Sequence, residues 1–174
     1  MNIFMSRKRK EELLALQRIV VENSPDKLIC SEAQLRAIAA EKAESSHRIM
    51  DDCSNLLQTT TNPEVFFERL QLFEMNCRTL VSLEKYISYS GASPTEIYKI
   101  LIREKQDVIK EFLIRYFCKV DTKADNLKTT KGKLCQYQKF YDSLKPYFTE
   151  MDADNIDYIE TKYKAYTRLL EKKA

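Results

Sequence analysis

Glycine is nearly absent from this chain: Gly91 and Gly132 are the only two among 174 residues. Glycine serves where a backbone needs positive φ, in hairpin turns, strand bulges and loops that close on a phosphate. A chain that dispenses with it is built from long helices joined by simple turns. Histidine is almost as scarce. His47 is the only one, which removes most metal and acid–base chemistry. Tryptophan is missing, so ten tyrosines and eight phenylalanines carry all the aromatic content. The five cysteines, Cys30, Cys53, Cys77, Cys118 and Cys135, are odd in number and include no C-x-x-C pair. Neither a disulfide framework nor a zinc site fits that pattern, and reduced thiols in a cytoplasmic protein do. No stretch approaches the roughly 20 apolar residues of a membrane span. The basic start MNIFMSRKRK has no apolar segment behind it, as a secretory signal requires.

What is present is a soluble composition, 44% apolar and 32% charged, with a net charge of +3. The charge is uneven. Residues 51–100 hold four Lys/Arg against seven Asp/Glu, and residues 101–150 hold eleven against seven. A basic patch on a nearly neutral protein follows from such a split.

The pattern along the chain is that of helices with clear starts. Residues 6–22 read as a first helix, ended at Asn23-Ser24-Pro25-Asp26. Ser31 and Gln34 form a capping box for a second helix. Its seam is Leu35, Ile38, Ala39, Lys42, Ser46, Ile49, Cys53 and Leu56, with Lys42 a charged intruder. Asn62-Pro63 restarts the chain, and Phe66, Leu70, Phe73, Cys77 and Leu80 mark a third helix reaching about Tyr89. Gly91 suits a C′ cap, and Ser93-Pro94 with Glu96 opens a fourth helix buried along Tyr98, Leu101, Val108, Phe112, Tyr116 and Val120. Thr129-Thr130-Lys131-Gly132 offers a further break, which a helix could also pass through, before Tyr137, Phe140, Tyr141 and Leu144. Asp152 then caps a last helix bearing Ile156, Ile159, Tyr163, Tyr166 and Leu170. The breaks are thus expected near residues 23–30, 60–62, 90–93 and 146–152, while at residues 129–132 the chain either breaks or runs through as one helix. Short links make consecutive helices antiparallel. The expected fold is all-α, an elongated, coiled-coil-like up-and-down bundle of five main helices plus an N-terminal helix. Residues 1–30 form a basic helix and linker, free to pack or to project, and residues 31–174 form the bundle domain.

Few residues carry chemistry. Glu44-Ser45-Ser46-His47 is half of a di-iron carboxylate motif, but a complete site needs a second histidine. Gly132-Lys133 lacks the glycine five positions earlier and the following Ser or Thr of a phosphate loop, since Leu127 and Leu134 stand there. Every Cys-His or Ser-His arrangement would have to use His47. The expectation is therefore no catalytic residue, no metal, no cofactor and no small-molecule substrate. Arg7-Lys8-Arg9-Lys10, after Ile3, Phe4 and Met5, reads as a solvated helix start. The segment 119–141 stands out, with Lys119, Lys123, Lys128, Lys131, Lys133 and Lys139 close to Tyr137, Phe140 and Tyr141. Lysines draw anions and rings stack bases, so these six lysines and Tyr137 are the candidate anion-binding residues. The competing reading is a solvated lysine face beside a buried aromatic stripe, because the ring spacing is helical.

The blocks NPEVFFERLQLF, SLEKY, LKTTKGK, KFYDSL and DNIDYIE together resemble a set of uncharacterised helical proteins of bacteria and their mobile elements, over about residues 48–166. The resemblance implies a helical bacterial protein of the cell interior and brings no activity, ligand or catalytic residue with it. Two functions fit the residues. The leading one is a non-enzymatic protein–protein interaction or scaffolding module, self-associating or binding a protein partner, since tyrosine-rich helices suit interfaces. The alternative is a nucleic-acid or polyanion binder acting through residues 119–141.

Overall fold

The structure, a computed structural model, describes residues 6–89 and 91–171. Ile3, Phe4 and Met5, and Ser90 at the third break, lie outside the described residues. Among those described, the chain is all-α. Six α-helices run in order: α1 Arg7–Val20, α2 Glu32–Thr59, α3 Pro63–Leu83, α4 Pro94–Asp125, α5 Thr130–Leu144 and α6 Ala153–Glu171, with a 3-10 helix, Lys145–Glu150, between the last two. The chain divides into two compact units, one of residues 1–54 with 72–101, the other of residues 55–71 with 102–174. α2, α3 and α4 each contribute residues to both.

In the first unit, Leu13, Leu16 and Val20 of α1 share one buried cluster with Leu35, Ala39, Ala43 and Met50 of α2 and Cys77, Leu80 and Leu83 of α3. The apolar stripe of α1 is what packs it there. The α1–α2 link is organised by Gln17, which is fully buried. Its amide nitrogen donates to Ser24 Oγ at 2.9 Å and to the Lys27 carbonyl at 3.0 Å, and its oxygen accepts from the Ile29 N–H at 2.9 Å. Asn23, at φ 51°, makes the turn. Lys42, the intruder in the α2 seam, has a partner: its Nζ donates to the Ile19 carbonyl at 3.1 Å.

The caps follow the sequence. Ser31 and Gln34 bond reciprocally, Ser31 N–H to Gln34 Oε1 at 2.8 Å and Gln34 N–H to Ser31 Oγ at 3.3 Å. Ser93 and Glu96 do the same at 3.2 Å each way. Asn62 accepts from the Glu64 N–H at 3.1 Å, and Asp152 from the Asn155 N–H at 2.9 Å. Two details differ. The buried line of α2 is Leu35, Ala39, Ala43, Ser46, Met50, Cys53 and Leu57, while Ile49 and Leu56 are 36% and 38% exposed. Turning on through the 3.6-residue period moves the buried arc one position along from the expected seam. α3 stops at Leu83, not Tyr89, because Tyr86, Ile87 and Tyr89 leave the helix to pack on the same cluster. Gly91 therefore sits in a loop, at φ 120°, beyond any helix C-cap.

In the second unit the core is aromatic. Phe66 stacks on Phe112 at 4.0 Å, and Phe67 on Tyr147 at 4.3 Å. Phe112 faces Tyr116 at 5.9 Å, Tyr116 meets Phe140 at 5.3 Å, and Phe140 meets Phe117 at 5.3 Å. Of the expected core residues, Phe66, Leu70, Leu80 and Phe112 are buried, and Phe73 and Tyr116 are half-buried. Buried Asn155 donates to the Gln106 carbonyl at 3.1 Å and Gln106 Oε1 at 3.0 Å, tying the start of α6 to α4.

Candidate anion-binding site

Within the second unit, α4 and α5 place basic side chains around one concavity of about 370 Å³, lined by Tyr116, Lys119, Val120, Lys123, Gln136 and Lys139. The register explains the grouping. Positions 116, 119, 120 and 123 recur at three- and four-residue steps and share one side of α4. Positions 136 and 139 do the same on α5. Asp121 and Asp125 fall on the far side of α4 at 100° per residue, so no carboxylate is among the lining residues.

Each side chain has a defined setting. The Lys119 ammonium donates to Thr61 Oγ1 at 2.6 Å, which fixes its direction from the α2–α3 turn. Lys123 and Lys139 are exposed. Val120 is buried beneath them. The Tyr116 hydroxyl pairs with Ser143 Oγ at 2.9 Å, and its ring is held by Phe112 and Phe140.

The seven expected anion-binding residues are thus divided. Lys119, Lys123 and Lys139 come together. Lys128 and Lys131 are exposed but do not line the concavity. Lys133 lies 4.0 Å from Asp125. Tyr137 is 3% exposed, packed between Phe117 and Tyr166, and its hydroxyl donates to Asp121 Oδ1 at 2.6 Å. Burial first, and then that carboxylate, raise its phenol above the ordinary range. Tyr137 is a core residue and offers no stacking face, because the 137/140/144 spacing is the buried stripe of α5. α5 does begin at Thr130, but the Gly132 N–H is already taken by Thr129 Oγ1 at 3.1 Å. Tyr116, Val120 and Gln136 complete the lining without having been candidates. The signal for Gln136 was its three-residue step from Lys139.

The other candidates stand apart. His47 is exposed, with its ring 6.0 Å from Tyr89, and Glu44 pairs with Arg48 at 3.4 Å. Among the described residues, no three His, Cys, Asp or Glu side chains are grouped to hold a metal ion. A second cleft, about 380 Å³, lies between the start of α3 and the 3-10 helix. It carries Glu64, Glu68 and Glu150 against one Lys105, which is ion-paired to Glu150 at 3.2 Å. Its charge is opposite to that of the lysine concavity. No helix among the described residues is long and apolar enough to cross a membrane. In comparison with known proteins, the chain matches no protein family, no curated protein and no solved structure.

Proposed function

We propose that this chain is a non-enzymatic binding protein that holds a phosphate-bearing anion in the concavity between α4 and α5. One observation carries the reading: three lysines from two helices line a single concavity with no carboxylate among its lining residues. Lys119 and Lys123 are one turn apart, and like charges at that spacing repel. A bound anion converts that repulsion into attraction, and charge-assisted hydrogen bonds from ammonium to phosphate oxygen are the strong kind. Binding without catalysis is favoured because the lining holds no histidine, cysteine, serine or carboxylate. Cytoplasmic residence belongs to the same proposal and rests on the odd cysteine count without metal or disulfide spacing.

The test is titration with a phosphate-bearing polyanion at rising salt, on the wild type and on a Lys119→Gln/Lys123→Gln/Lys139→Gln triple variant. Affinity should fall with salt, as exposed charge interactions are screened, and the triple variant should lose binding with its helicity intact. Equal binding by the triple variant would refute the proposal.

Self-association is a second reading, favoured by Ile102 and Ile114 of α4, 51% and 43% exposed. Sedimentation equilibrium of the wild type against Ile114→Glu tests it. A monomer at all concentrations would remove it.

A further inference from the structure

We infer that the ligand of the lysine concavity is a compact molecule carrying two or three phosphate groups, not a nucleic-acid strand. This inference rests on the anion-binding reading above and narrows it.

The charge around the site is gathered in one place. A strand held by its backbone needs cationic sites in succession, one for each phosphate contacted. Here only three of the six lysines of the basic segment share the concavity. Lys119, Lys123 and Lys139 converge on one concavity, Lys128 and Lys131 lie outside its lining, and Lys133 has Asp125 at 4.0 Å. The concavity itself offers three ammonium groups, a number that a compact ligand of two or three phosphates matches.

The single ring among the lining residues is already engaged by its neighbours. Proteins that hold single strands stack bases on exposed aromatic faces. The one ring lining this concavity, Tyr116, is stacked on Phe112, tilted against Phe140 and held by its hydroxyl to Ser143. Tyr137 is in the core. Recognition at this site falls to charge and hydrogen bonding.

The size and donors of the concavity also suit a compact ligand. About 370 Å³ is within the range of small-ligand sites, roughly 300–1,000 Å³. Side chains one turn apart on a helix start about 5–6 Å apart at Cβ, so the flexible ammonium ends of Lys119 and Lys123 can close on two linked phosphate groups. Lys139 adds a third ammonium from α5. The Lys119 ammonium has three donors and spends one on Thr61 Oγ1, so two stay available in a fixed direction. The Gln136 amide supplies an uncharged donor beside them. Orthophosphate can engage only part of this set.

Isothermal titration at near-physiological salt tests the inference with four probes: orthophosphate, pyrophosphate, tripolyphosphate and a 20-mer of oligothymidylate. The variants are Lys123→Gln and Lys139→Gln, with Lys131→Gln as an exposed control outside the concavity. Circular dichroism checks that each variant is folded. Tripolyphosphate is expected to bind at least about tenfold more tightly than orthophosphate, since each charged contact is worth about tenfold or more. Lys123→Gln and Lys139→Gln should each weaken it by about tenfold, and Lys131→Gln should leave it unchanged. The 20-mer should bind no more tightly than tripolyphosphate. If the 20-mer binds more tightly and Lys131→Gln weakens it as much as Lys123→Gln, the compact-ligand inference fails and anion binding stands. If no probe binds, or tripolyphosphate binds all variants equally, both fail.

Discussion

Replacing Gln17 with leucine is the sharpest test of how the first unit is held together. The side chain is fully buried, and leucine approximates its volume, so the change removes hydrogen bonds with little loss of packing. Three well-formed bonds go: to Ser24 Oγ at 2.9 Å, to the Lys27 carbonyl at 3.0 Å, and from the Ile29 N–H at 2.9 Å. A fourth, to the Pro25 carbonyl at 3.4 Å, is too long to add much. At about 1 kcal/mol net for each good bond, the loss is about 3 kcal/mol. Lys27 and Ile29 are exposed, so water can take over their backbone groups once the link opens, which holds the cost to about 2–4 kcal/mol. Urea titration followed by circular dichroism measures it. Gln17→Glu is the informative companion. It keeps the shape and the acceptor for Ile29 but loses the amide donors, and at neutral pH it sets a carboxylate against the Lys27 carbonyl. It should be at least as damaging as leucine at neutral pH and recover stability in acid, where a protonated carboxyl donates again. A Gln17→Leu protein within about 0.5 kcal/mol of the wild type would refute the reasoning, because that is the range of an inconsequential surface change.

Phe112 is fully buried between Phe66, Phe67 and Tyr116, so Phe112→Ala should cost about 3–5 kcal/mol in the same titration, and a wild-type midpoint would show that the aromatic core is misassigned. Ser31→Ala removes one half of a capping box and should cost about 1 kcal/mol, with Ser93→Ala similar; a gain in stability from either would contradict the caps. Alkaline pH should destabilise the wild type. Burial and Asp121 raise the Tyr137 phenol, burial raises those of Tyr158 and Tyr166, and burial pushes the Cys77 thiol up to about 11. The folded chain keeps these protons while the unfolded chain releases them, so their contribution is whole below the unfolded values and falls as pH rises past about 9–10. Tyr137→Phe should be less stable than wild type at neutral pH and lose less of its stability above pH about 10, measured as urea midpoints; parallel pH profiles would refute this.

Helix starts were legible because each rests on local chemistry: Ser31 with Gln34, Asn62 with Pro63, Ser93 with Glu96, and Asp152 each act within three residues. Core positions on α3 and α4 were legible for the same reason, since their three–four spacing is a property of one helix. What depends on two segments at once was not. The end of α3 at Leu83 is decided by where Tyr86, Ile87 and Tyr89 find apolar surface. The role of Gln17 depends on the path of a loop up to twelve residues away. The lysines 119, 123 and 139 separate from 128, 131 and 133 only when the rotation of α5 relative to α4 is known, and that rotation is set by the tertiary contacts of Tyr137 and Phe140.

The central claim is that the ammonium groups of Lys119, Lys123 and Lys139 hold phosphate between α4 and α5. Amide chemical-shift mapping by nuclear magnetic resonance tests it most directly, with tripolyphosphate titrated into the labelled full chain. The shifts expected are those of residues 116–123 and 136–139, together with Thr61, whose hydroxyl is tied to Lys119. Residues 128–133 should stay where they are. Shifts centred on residues 128–133, or spread evenly over every exposed lysine, would contradict the account.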